Sequence, residues 1–562
     1  MKNYLIYLCL LLLISPICSF GQRTSPSPKK LPKWQARALE FASQRGAVTL
    51  KNYQHTLEDV LLDKQQQSAR FRTRSQGWSP VGPTQVPAGV GMVGLGRVNN
   101  IAFHPTDPNT LFACASQGGI WKTTNRGQSW MPIGDNLPIL RTTDLAIDPK
   151  NPDIMYVALG DFAYIGIALN LDTRKRNTHY GLGIYKTTDG GVTWSPTGLA
   201  LDQTNLDESL IKKIIIHPTE TNQLIAVGSQ GIYKSTDGGN SWQRKYNELV
   251  WDLEQDPNNP QILYAAGGFL ATLPDMGSAN IMKTTDFGDT WSALNTTIPA
   301  KNTVQRIELA ISPSDPDYVY ALACNLQSSF YALYRSTGGG ATWEERSSRH
   351  GSLIDALNTP NILGWTDGNL TDDRGQGTYD LALLVDPVNK DRIYTGGINA
   401  WSSPDGGKSW ELVSYWRNDY GLSLHADQHL FKYHPQNKEF YVCNDGGIYR
   451  TKEMKSISWA TLAAGNTCQD ANGNYVQGCS RLPTQWENIT SSLVITSFYR
   501  LGLYTPDPKY MVAGCQDNST YLKTWQKSIK MALSHFYEVI SSLFPFSKSS
   551  INTFKRQLLK IN

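Results

Sequence analysis

An octamer recurs six times and constrains the fold more than any other feature of the chain. It reads TTNRGQSW at 123–130, TTDGGVTW at 187–194, STDGGNSW at 235–242, TTDFGDTW at 284–291, STGGGATW at 336–343 and SPDGGKSW at 403–410. Its residue types prescribe a tight hairpin. A Ser or Thr followed two positions later by Asp lets the carboxylate accept backbone N–H bonds. The paired glycines supply positive φ at little steric cost. The closing tryptophan then enters the next strand with a large ring to bury. Trp130, Trp194, Trp242, Trp291, Trp343 and Trp410 close the six copies. Asn125 replaces the Asp in the first copy and Gly338 replaces it in the fifth.

Upstream of each octamer lies a strand, a proline turn and a second strand, as in VNNIAFHPTDPNTLFACA and IKKIIIHPTETNQLIAVG. Such pairs begin near 96, 139, 209, 250, 304, 379, 425 and 497. The seventh is followed by a decayed octamer, TKEMKSISW, ending at Trp459. A repeat of roughly 50 residues built from short strands and turns is that of a four-stranded propeller blade. The sequence therefore predicts an all-β propeller of about eight recognisable blades over 78–525, with its C-terminal end read as either complete or cut short. Trp78–Gly82 resembles the stretch after an octamer tryptophan and is expected to supply an outer strand that closes the ring.

The flanks read differently. Lys2, the apolar run 4–14 and Ser19-Phe20-Gly21 form an export signal over 1–21, too short to span a bilayer. Residues 22–77 carry apolar residues at helical spacing and predict two short helices. Residues 526–562 predict an amphipathic helical tail, read either as a small cap or as a propeller ending lost through truncation or a frame change; the second is favoured. The chain is thus expected to be exported, periplasmic or extracellular, with no transmembrane segment. Cys114, Cys324, Cys443 and Cys515 sit in apolar strand-like runs and read as buried thiols, whereas Cys468 and Cys479 flank a polar loop and could pair. Lys and Arg total 52 against 48 Asp and Glu, so no strongly basic face argues for nucleic acid. Neither a cofactor nor a metal is predicted.

The octamers resemble Asp-boxes (BNR repeats). With GRVNNIAFHPTDPNTLFACASQGGIWKTT, HADQH, NDGGIYR and GCQDNST, the chain resembles secreted bacterial sortilin-like (VPS10-type) propellers, which are often labelled glycosyl hydrolases. Such rings can have ten blades, and related enzymes pair two seven-bladed rings. The resemblance places the octamers on the blade periphery, so Asp189, Asp237, Asp286 and Asp405 are expected to form turns and not to act as catalytic acids.

The channel candidates are Arg97, Asp380, His425, Asp427, His429, Asp445 and Asp517. If His425–His429 is a strand, His425, Asp427 and His429 share a face, and Asp445 follows one strand later. Such a cluster could contact a ligand or hold a metal; a hydrogen-bonded polar strand is the simpler reading. Sialidases require an arginine triad and an Arg-Ile-Pro start that the chain lacks. Xyloglucanase-type propellers place an Asp after the second strand of the first blade, where this chain has Ala115-Ser116-Gln117-Gly118-Gly119. These departures favour a secreted binding propeller for a protein, peptide or glycan; the alternative is a glycoside hydrolase acting on an extracellular polysaccharide.

Overall fold

The computed structural model describes residues 82–86, 94–165, 181–199, 210–271, 275, 277–299, 303–350, 359–365, 374–416, 424–458, 486–503, 511–515, 518 and 520–523. The segments expected to be an export signal, N-terminal helices and a helical C-terminal tail, together with Trp78, Trp459, Cys468, Cys479 and Asp517, lie outside these residues. Apart from one 3-10 turn at Phe162–Tyr164, the regular elements among the described residues are strands. None of the described helices is long and apolar enough to cross a membrane.

Each strand–turn–strand unit becomes the inner half of an antiparallel meander. In blade one, Val98–Phe103, Leu111–Ala115, Ile120–Thr123 and Met131–Pro132 pair in chain order. Blades two to five repeat this over 142–196, 211–246, 250–293 and 304–348. Blade six covers 382–414, and blade seven joins 428–451 to Glu487–Asn488. The second strands, such as LFACA, MYVAL, LIAVG and LYAAG, are buried along their whole length. Each lies inside a sheet with blades on both faces, which is why they read as unbroken apolar runs and not as alternating ones.

Packing between blades settles their number. Phe112 of blade one meets Leu145 and Val157 of blade two in one apolar cluster. Equivalent clusters join blades two and three, three and four, four and five, five and six, and six and seven. A seventh cluster packs Tyr441, Cys443 and Ile448 of blade seven against Leu111, Ala113 and Trp121 of blade one. Seven blades therefore close the ring, not the eight that the strand pairs suggest. The eighth pair forms a separate three-stranded sheet, Phe498–Leu503, Met511–Cys515 and Thr520–Lys523, whose strands pair with no blade strand among the described residues. Once blade seven rests on blade one, no face is left for another blade to occupy.

The octamers form hairpins between third and fourth strands, at the blade edge farthest from the innermost strand. Asp189 accepts from Thr187 Oγ1 at 2.7 Å, from the Thr193 amide at 2.9 Å and from Thr193 Oγ1 at 2.6 Å. Gly190 and Gly191 have φ of 72° and 94°, as the turn requires. Asp237, Asp286 and Asp405 accept the same three bonds. The Thr193 bonds hold Asp189 down at about 2, so this carboxylate is a turn anchor that stays ionised. Asn125 imitates the Asp through its Oδ1. Around Gly338 only Ser336 Oγ organises the turn.

The tryptophans pack on the preceding blade, but only Trp130 and Trp410 are fully buried; the other four are half-buried. Trp130 Nε1 donates to Ile489 O at 2.8 Å, Trp194 Nε1 to Ile133 O at 2.9 Å and Trp410 Nε1 to Ser347 Oγ at 3.2 Å. The decayed octamer behaves differently from its intact counterparts. Without an Asp to gather the amides, the chain after Thr451 does not fold back. Its strand Ile457–Ser458 adds instead to the outer edge of blade six, and blade seven takes Glu487–Asn488 as its fourth strand.

Candidate functional site in the propeller channel

In an antiparallel meander the start of the first strand and the end of the second lie at the same edge. Arg97, Asp380 and Asp427 immediately precede or closely approach first strands, while Asp161 and Asp445 follow second strands. All five therefore gather at one mouth of the ring.

Arg97 is the centre of the cluster. Its Nη2 pairs with Asp161, its Nε lies 3.9 Å from Asp445 Oδ1, and all three side chains are buried. Blades two and seven flank blade one, so their carboxylates reach the arginine from opposite sides. The guanidinium lies 4.6 Å from the Tyr164 ring centre and 5.4 Å from that of Tyr379. Its Nη1 has no hydrogen-bond partner among the described residues.

Asp445 is held by more than Arg97. Tyr379 donates its hydroxyl to both carboxylate oxygens, at 2.8 and 3.1 Å, and His429 Nε2 is 2.8 Å from Oδ1. Burial alone would raise the Asp445 carboxyl; the His429 hydrogen bond and the charges of His429 and Arg97 outweigh it and hold Asp445 below its ordinary value. Burial lowers His429, against the opposing pull of Asp445. An ionised carboxylate only accepts, so His429 donates from Nε2 to Asp445.

A second pair of carboxyls adjoins the first. Asp380 is fully buried near half-buried Asp427, and neither of its carboxyl oxygens has a hydrogen-bond partner among the described residues. Burial, then the neighbouring charge of Asp427, pushes Asp380 well above the usual carboxylate range. Gln376 Nε2 donates to Asp427 Oδ1 at 3.0 Å. One short turn delivers Gln376, Tyr379 and Asp380 together: the amides of Tyr379 and Asp380 both bond Gln376 O.

The expected strand alternation across HADQH does not form. Asp427 has φ of 67°, and the strand begins only at Gln428, with a bulge between Gln428 and Leu430. Asp427 consequently turns to Asp380, while His429 reaches Asp445. Buried His425 packs its ring against Gly446 of the Asp445 turn, where an added Cβ would come within 2.6 Å of it. No group of three or more His, Cys, Asp or Glu among the described residues is arranged to hold a metal ion. Arg97, Asp380, His425, Asp427, His429 and Asp445 thus lie near one another at this mouth, in two linked clusters and not on one strand face.

Sequence reasoning missed Asp161, Tyr164, Gln376 and Tyr379. Asp161 could have been found: it follows MYVAL after one glycine, much as Asp445 follows EFYVCN. Tyr164 and Tyr379 carry no comparable signal. Cys114, Cys324, Cys443 and Cys515 are buried and free.

No protein-family model matches the chain. Among characterised proteins it is similar to xyloglucanase Xgh74A of Acetivibrio thermocellus, 25% identical over 295 residues covering 44% of this chain and 32% of that protein. It is also similar to a probable oligoxyloglucan-reducing end-specific xyloglucanase of Neosartorya fischeri, 22% identical over 359 residues covering 56% and 38%. The chain thus spans less than two fifths of the length of these relatives. Solved structures that resemble it include an ancestral GH74 enzyme (TM-score 0.49, 15% identity, covering 79% of this chain and 54% of that one). The GH74 enzyme of Niastella koreensis gives a TM-score of 0.48 at 17% identity, covering 80% and 62%.

Proposed function

We propose that this chain is the polysaccharide-handling propeller of an exported glycoside hydrolase, with its chemistry at the Arg97 mouth. What supports this reading is the contrast between two adjoining carboxyl sites: Asp380 is buried near Asp427 with no hydrogen-bond partner among the described residues, which pushes it up, while Asp445 is ringed by Arg97, His429 and Tyr379, which hold it down. Environments that drive neighbouring carboxyls apart in this way separate an acid from a base or charge stabiliser. Asp427, the half-exposed member of its pair, is assigned the delivery of a proton to the leaving glycosidic oxygen, with Asp380 behind it as the buried acid. Asp445 supplies the negative charge that an oxocarbenium-like transition state needs. Half-exposed Tyr164 and Tyr379 offer ring surface to a sugar, and the Arg97 guanidinium is already occupied by Asp161 and Asp445, which leaves an anionic glycan little to bind there.

The xyloglucanases among the relatives support a neutral β-glucan as substrate and lend no support to a protein or peptide partner. We read the octamer hairpins as Asp-boxes on the strength of their repeated carboxylate bonds. One departure favours a second reading, glycan binding without turnover: Ala115-Ser116-Gln117-Gly118-Gly119 has no carboxylate where the resemblance expects an Asp on blade one. The test is to incubate purified protein with xyloglucan, mixed-linkage glucan and mannan, measuring both reducing-end release and retention in affinity gels. Hydrolysis abolished by Asp427→Asn or Asp380→Asn supports the enzyme. Retention without hydrolysis supports the binding reading, and neither would end both.

A further inference from the structure

The hairpin that carries Asp445 is gripped from two sides. From within blade seven, Asn444 Oδ1 accepts the amides of Gly446 at 3.0 Å and Gly447 at 3.1 Å. From the lead-in to blade one, the Leu95 amide bonds Gly446 O at 3.0 Å. Thr496, in the segment joining blade seven to the eighth sheet, donates its hydroxyl to Leu95 O. The remaining grip comes from the eighth sheet itself: buried Asn518 donates Nδ2 to the backbone carbonyl of Asp445 at 2.9 Å. The three segments meet so closely that a Cβ on Gly94 would overlap both the Gly446 Cα and the Asn518 Oδ1.

We infer that Asn518 is a positioning residue for Asp445, and that the eighth sheet is thereby a working part of the mouth although it belongs to no blade of the ring. This rests on the proposed role of Asp445. The physical reason is where the bond falls. It restrains the backbone of the very residue whose carboxylate must meet Arg97, His429 and Tyr379 together. The φ of Gly447 is 136°, so the turn leans on glycine, which resists distortion less than any other residue. Without the Asn518 bond, the outside hold that remains on this turn is the Leu95 amide on Gly446 O, and the Asp445 carboxylate can move off His429 while the flanking strands stay paired. The GCQDNST run, which no blade absorbs, thus has a function in its asparagine: the second-to-third strand hairpin of one sheet braces the equivalent hairpin of its neighbour.

The test uses the full chain with ring-¹⁵N-labelled histidine, and His429→Gln to assign the signal. In the wild type, His429 Nε2–H should show the downfield shift of a proton hydrogen-bonded to carboxylate. Asn518→Asp, almost isosteric but placing an acceptor against the Asp445 carbonyl, and Asn518→Leu, which removes the donor, should both lose that shift. Asn518→Ser, which keeps a donor, should recover part of it. On xyloglucan, if it is turned over, the Asp and Leu variants should lower kcat by about tenfold or more with KM changed less than threefold.

An unchanged His429 signal in both variants would overturn the inference, whatever happens to their melting temperatures. So would equal loss in all three variants, because that pattern reports a packing defect and not a missing donor. If wild-type protein neither binds nor cleaves any glucan, the proposed function fails while the His429 signal still decides the placement of Asp445.

Discussion

Replacing Arg97 with leucine removes the cation from a buried trio and strands two carboxylates. Arg97 is 6% exposed, Asp161 is fully buried and Asp445 is 2% exposed, so solvent cannot take over the lost interaction. Removing one partner of a buried ion pair costs about 3–5 kcal/mol, because the uncompensated charge stays behind. With two carboxylates on one guanidinium, the upper end of that range applies. Unfolding entropy near 2.1 cal/mol/K per residue gives roughly 0.8 kcal/mol/K for a ring of about 400 residues, so a cost of about 5 kcal/mol lowers Tm by roughly 6 °C. Urea unfolding followed by tryptophan fluorescence measures the loss directly. The double variant Arg97→Leu/Asp161→Asn should then regain about 2 kcal/mol or more, since it removes one of the stranded charges. The pH dependence has a definite sign. Asp445 lies below its ordinary value in the folded protein, so it contributes stability above the unfolded carboxylate range that is lost as pH falls through its folded value. Arg97→Leu forfeits part of that contribution, and the gap to wild type should narrow in acid. A loss below about 1 kcal/mol, or a double variant no more stable than the single, would refute the idea that the trio is held by charge.

Asp380 titrates in the opposite sense. Its folded value is raised, so the stability it contributes is present in acid and lost as pH rises through that value. Asp380→Asn, which cannot ionise, should lose less Tm than wild type between pH 5 and pH 9; parallel curves would count against a buried protonated carboxyl. Thr187 is buried and accepts the Gly191 amide at 3.0 Å, so Thr187→Val should cost about 1–3 kcal/mol in urea while leaving glucan retention unchanged. Greater damage to retention than to stability would mean that the octamers reach the mouth. Gly231 has φ of 124°, and a Cβ there would overlap Tyr246 O, so Gly231→Ala should cost more than about 1 kcal/mol; a neutral result in a urea titration would contradict the backbone described for blade three.

The blade was legible in the linear sequence because its information is local. Thr187, Asp189, Gly191 and Thr193 build their hairpin from bonds spanning no more than four residues. The unbroken run LFACA announces a strand covered on both faces without reference to what covers it. The starts of all eight strand pairs could be read for the same reason. What the repeat does not encode is how many blades make one ring. That depends on the rotation accumulated from sheet to sheet, and it is decided where Tyr441 and Ile448 meet Leu111 and Trp121, more than 300 residues apart in the chain. The site divides along the same line. Arg97, Asp380, His429 and Asp445 stand out as polar residues at strand ends, yet their pairings were set by ring closure, which lays blades two and seven against blade one. Alternation across HADQH, a local rule, failed at Asp427, where a left-handed residue and the bulge after it turn one carboxyl toward Asp380 and leave His429 to reach Asp445. Hydrogen bonds within a hairpin depend on neighbours in sequence; the protonation of Asp380 and the ionisation of Asp445 depend on burial and on charges brought from other blades, which only the closed ring supplies.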